Sequence, residues 1–127
     1  MDPLPPADRA DDDRTDDDLD GRTFAASTVA GPGDVDGRTL FRYRQDGEVV
    51  WADYAGGQVV RGHLVGVRRG ARLDRRYVHL DTAGGTASGH CLSVVERVGD
   101  RLRLHEEWTW ESRPGSGTSV LDEIAPG

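Results

Sequence analysis

From residue 22 to residue 124 the chain alternates apolar and polar positions, breaks at a turn, and alternates again. A side-chain period of two is the signature of a β-strand with one buried face. Eight such stretches can be marked: 22–30, 38–45, 48–55, 58–67, 73–81, 86–97, 101–112 and 118–124. Asp46-Gly47 between the second and third is a strong hairpin signal, and Gly56-Gly57, Gly84-Gly85 and Gly99-Asp100 punctuate later turns. "GPGDVDG" (31–37) and "RPGSG" (113–117) read as loops. Short links suit antiparallel neighbours. The expected fold is therefore all-β, a single eight-stranded antiparallel up-and-down barrel, which removes the exposed edges an open sheet would keep. A two-sheet sandwich is the alternative.

The interior face can be assigned strand by strand. Phe41, Tyr43 and Gln45 are expected inside, as are Val50, Ala52 and Tyr54, and then Val60, Gly62, Leu64 and Gly66. Two strands stay open. In 73–81 the choice is between Arg76, Val78, Leu80 and Arg75, Tyr77, His79; in 86–97 it is between Gly89, Cys91, Ser93 and Ser88, His90, Leu92. The stretch "LRLHEEWTWE" (102–111) places Leu102, Leu104, Trp108 and Trp110 on one face with Glu106 among them. A β-bulge at His105-Glu106 would split the leucines from the tryptophans. All four fit inward without one, so Glu106 is expected inward too.

Charge changes the picture at one end only. Residues 1–20 hold nine Asp and two Arg, or −7, while the remaining 107 residues balance fourteen Arg against eight Asp and six Glu. An acidic tail (1–21) without a periodic apolar face is expected to be disordered, followed by a barrel domain at 22–124 and a C-terminal tail at 125–127. A neutral body offers no basic stripe for phosphates, so no nucleic acid is expected as partner. No apolar run reaches membrane-spanning length, and no basic-then-apolar leader opens the chain, so a cytoplasmic protein without membrane contact is expected. The single cysteine, Cys91, excludes an internal disulfide, and the absence of lysine excludes Schiff-base chemistry.

Taken together, "YAGGQVVRGHLVG" (54–66), "RRYVH" (75–79), "GHCLS" (89–93), "RLRLHEEWTWES" (101–112) and "GTSVLDEI" (117–124) resemble a family of short bacterial proteins commonly labelled N-acetylglutamate synthase. The resemblance covers about residues 38–124. It implies a lipocalin-like or avidin-like barrel. An acetyltransferase would hold acetyl-CoA at a Gly-rich loop opening a helix. Here the Gly pairs fall between strands, so the labelled activity is not expected.

A buried carboxylate needs partners or a proton. Candidates for Glu106 are Arg76, Tyr43, Tyr54 and Ser93. One reading makes Glu106 part of a polar network that fixes barrel register. Another places it in a pocket walled by Trp108, Trp110, Tyr43 and Tyr54, where it would anchor a ligand or act as acid or base. Arg76 could clamp a ligand carboxylate or snorkel to solvent. A metal site from His63, His79 and His105 requires neighbouring strands and has no recognised spacing, so no metal and no cofactor are expected. Cys91 reads as a small buried hydrophobe.

The expected function is binding of a small organic ligand in an aromatic-lined cavity, with Glu106 as polar anchor and Tyr43, Tyr54, Arg76, Ser93, Trp108 and Trp110 around it. A cofactor-independent isomerase or cyclase using Glu106 is the alternative. A third possibility is a filled barrel acting through protein contacts. Trp51 and Val49, on the outer face, could then seed a homodimer.

Overall fold

A computed structural model describes residues 17–125. Eight strands follow in order: β1 (Thr23–Ala30), β2 (Leu40–Asp46), β3 (Val49–Gly56), β4 (Val59–Arg69), β5 (Arg72–Asp81), β6 (Thr86–Val98), β7 (Arg101–Trp110) and β8 (Ser116–Glu123). Each pairs antiparallel with its sequence neighbours, and β1 pairs with β8 to close the barrel. The up-and-down barrel is thus the fold, and the sandwich is excluded.

Topology gives the barrel two unlike ends. The β2–β3, β4–β5 and β6–β7 turns gather at one, together with the chain entering β1 and leaving β8. At the other lie the β1–β2 loop (31–39), the tight β3–β4 and β5–β6 turns and the β7–β8 loop (111–115). Phe24, Tyr43, Val50, Leu73, Leu102, Leu104 and Leu121 fill the first end and the middle. A second, aromatic cluster of Ala87, Cys91, Trp108 and Trp110 fills the other.

Three expectations need correcting. Residues 1–16 of the expected acidic tail lie outside the described residues, but residues 17–21 belong to the fold. Leu19 is completely buried in the core, its N–H donates to Gln45 at 3.1 Å, and Gly21 N–H donates to Tyr43 O at 2.9 Å. One leucine within a run of aspartates shows no period, so patterning could not find it. Flanking Asp20 pairs with Arg44 at 2.7 Å, and Asp17 with Arg97 at 2.7 Å.

The second correction concerns β4. Its pairing with β5 slips between Val59 and Arg61, so Val59 points inward and Val60 is 51% exposed. A bulge inserts one residue and reverses the phase of what precedes it, which is why Val60 fails while Gly62 and Leu64 hold. The third is Arg76. It stands on the outer wall against Glu111 at 3.3 Å, with 64% of its side chain exposed, while Arg75 turns inward and is fully buried. On β5 the interior set is Arg75, Tyr77 and His79; on β6 it is Gly89, Cys91 and Ser93.

Candidate functional site

Glu106 stands inward on β7 without a bulge, paired with Ser93 on β6 and Ser119 on β8. Arg75, from β5, supplies its countercharge across the lumen at 3.2 Å. Ser119 Oγ donates to the other carboxylate oxygen at 2.9 Å. The same Arg75 amine also donates to the Tyr43 hydroxyl, and the second amine donates to the Ser93 hydroxyl and to Cys91 Sγ, the last at 3.1 Å. Burial works against the Arg75 charge, but the Glu106 carboxylate beside it favours that charge, and the guanidinium stays firmly protonated. Burial also pushes the Cys91 thiol up to about 12, with the Glu106 charge adding to the rise. At neutral pH it is a thiol and not a nucleophile.

Above this belt, toward the end that carries the long loops, lies a cavity of about 50 Å³. Phe41, Tyr54, Tyr77, Trp108 and Trp110 wall it, Arg75 and Glu106 form its floor, and Asp34 and His79 stand at its rim. The rings interlock edge to face: Trp108 on Trp110 at 5.8 Å, Tyr77 and His79 each on Trp110 at 5.7 Å. Glycines on adjacent strands make room for them. Tyr54 is paired with Gly62 and Trp108 with Gly117, and a Cβ at either glycine would collide with the facing ring. Glycine in a strand normally weakens it; here it admits a ring laid flat against the wall.

A second polar chain closes the rim. Burial holds the Tyr54 hydroxyl well above its ordinary titration range, so it keeps its proton, and it shares a hydrogen bond of 2.9 Å with His79 Nδ1. The Asp34 carboxylate only accepts, so His79 Nε2–H is the donor to Asp34 Oδ2, also at 2.9 Å. Asp34 belongs to the β1–β2 loop, which is held further by Trp110 Nε1–H donating to Pro32 O at 2.9 Å. Arg113, from the β7–β8 loop, reaches the same Asp34 oxygen at 3.1 Å and lies over the Trp110 ring at 4.1 Å.

A family model described as avidin-like protein matches residues 17–124, nearly the whole chain and all eight strands. The chain belongs to the avidin-like family. No curated protein and no solved structure matches it. The matched segment begins at Asp17, which is also the first of the described residues.

Of the residues singled out by sequence, Glu106, Tyr43 and Ser93 meet through Arg75, and Tyr54, Trp108 and Trp110 wall the cavity above them. Arg76 takes no part. His63 and His105 face outward against Asp53 and Glu96, at 2.7 Å each, so they cannot share a metal with inward His79. Arg75, Tyr77 and Asp34 were not singled out, and His79 only as a metal ligand. A usable signal existed for the first two. Gly66 and Gly89 pair with Arg75 and Tyr77, and a large inward residue fits opposite an inward glycine. Asp34 lies in a loop without period, and nothing in its neighbours foretells its reach to His79.

Proposed function

We propose that this avidin-like barrel binds a small organic molecule through the end that carries the long loops. Barrels of this family are known for small-molecule binding. The observation that carries the reading here is the cavity between the tryptophan pair and the Arg75–Glu106 floor, in which apolar walls enclose a few convergent polar groups. Rings on the walls supply contact area; the floor supplies orientation. Glu106 is committed on both oxygens, to Arg75 and to Ser119, which suits a fixed anchor better than a proton shuttle.

The test is a thermal-shift panel of flat and cyclic small molecules, with acetyl-CoA and glutamate included, on wild type beside Trp108→Leu. A ligand selective for the folded state raises the melting point by mass action. The expected result is a hit among the flat compounds that Trp108→Leu loses. A response confined to acetyl-CoA, or none to any compound, overturns the reading.

An outer-wall observation supports pairing of two copies. Val49 pairs with Val67 and Trp51 with Val65 across β3 and β4, and all four are exposed. Nearby charges are already matched within the chain, Asp53 by His63 and Asp74 by His90. Two such faces could meet without stranding a charge. Trp51→Glu is expected to convert a dimer to a monomer in sedimentation equilibrium; a monomeric wild type at micromolar concentration removes the idea.

A further inference from the structure

We propose that the rim of the cavity is a carboxylate-binding site, filled here by the protein's own Asp34. Its ligand class is a small monocarboxylate with a flat apolar body. This rests on the small-molecule reading above and names the chemistry of that ligand.

One Asp34 oxygen meets two donors from different elements, His79 Nε2 on β5 and an Arg113 amine on the β7–β8 loop, at 2.9 and 3.1 Å. Neither donor depends on Asp34 for its position. His79 is fixed from behind by the Tyr54 hydroxyl and packed against Trp110, with 1% of its side chain exposed. Arg113 is laid on the Trp110 face. A buried imidazole and a stacked guanidinium converging on one point form a preorganised anion site.

Asp34 arrives differently. It comes on "GPGDVDG", a loop of turn formers with Gly31 at φ +110°. The β1–β2 pairing spans only three positions, so this loop leaves the wall early and folds across the opening. Gly33 lies against the Trp108 ring, where a Cβ would come to 3.1 Å. The loop thus covers the tryptophans and its carboxylate covers the donors, together occupying the places of an aromatic body and its acid group. With the loop seated, about 50 Å³ remains, far below the ~300–1,000 Å³ of an ordinary ligand pocket. Displacing the loop by a ligand would exchange one carboxylate for another with no change in charge.

If Asp34 is a stand-in, removing it should tighten carboxylate binding selectively. If it is only a latch, removal should help any ligand alike. The experiment titrates 2-naphthoate and its uncharged isostere 2-naphthamide into wild type, Asp34→Ala and Arg113→Gln, by calorimetry. Charged hydrogen bonds of this kind correspond to roughly tenfold or more in affinity. Asp34→Ala should tighten naphthoate about tenfold more than it tightens naphthamide. Arg113→Gln should weaken naphthoate about tenfold and leave naphthamide unchanged. Equal gains for both probes, a loss on Asp34→Ala, or an amide bound as tightly as the acid overturns the carboxylate inference while leaving small-molecule binding intact. If neither probe binds any of the three proteins, the carboxylate inference falls, while small-molecule binding is decided by the thermal-shift panel.

Discussion

The two ends of the barrel are built from the same strands and solve different problems. At the end where the chain enters, Leu19, Phe24, Leu102, Leu104 and Leu121 are buried to the last atom, and the entering segment closes the opening. At the other, tryptophans, tyrosine and histidine leave a cavity, and the loop above it is held by a few polar contacts. The Arg75–Glu106 belt lies between them. Dense apolar packing gives stability and no chemistry. The loosely covered aromatic end gives up packing and keeps a cavity. Under the proposed reading, function falls to that end and stability to the other.

That division is tested hardest at the belt. Glu106→Leu removes the countercharge of a fully buried guanidinium, and breaking one partner of a buried pair is expected to cost about 3–5 kcal/mol. Urea unfolding of the variant measures it. A loss below about 1 kcal/mol would mean that water reaches Arg75, and the two ends would then not be separated by a dry layer.

Next in size is the sealed end. Leu19→Ala should cost about 2–5 kcal/mol, as truncations of buried leucines do. Binding at the far rim should be unchanged once the protein is folded. A variant that loses ligand affinity without losing stability would break the comparison, because the two ends would then be coupled. Tyr43 is the route by which such coupling would run: its backbone pairs with Gly21 and Arg22, and its hydroxyl accepts from Arg75.

How much of this was legible depends on whether a residue acts through period or through reach. Strand number, barrel closure and the inward row from Leu102 to Trp110 follow from alternation, and Glu106 stood out as a polar residue in an apolar row. Leu19 and Asp34 do not. Each acts from an irregular segment, and its partners, Gln45 and His79, lie 26 and 45 positions away. Val60 failed for another reason, because a bulge shifts phase without leaving a mark in composition. The open choice on β5 turned on two arginines in succession, which alternation alone cannot rank.

Those two arginines give the smallest expected effect and the sharpest contrast. Arg76 and Arg75 are neighbours in sequence with the same side chain and opposite surroundings. Arg76 faces solvent beside Glu111, itself 44% exposed, and exposed ion pairs contribute little because water screens them and the long side chains lose freedom in forming them. Arg76→Gln should therefore change stability by no more than about 0.5 kcal/mol and leave ligand binding untouched. Arg75→Gln, by contrast, strands Glu106 and should fall in the range expected for Glu106→Leu. Urea unfolding of the two variants side by side decides which arginine faces inward. A costly Arg76→Gln beside a silent Arg75→Gln would put β5 one residue out of phase, with Val78 and Leu80 turned inward and His79 carried away from the rim.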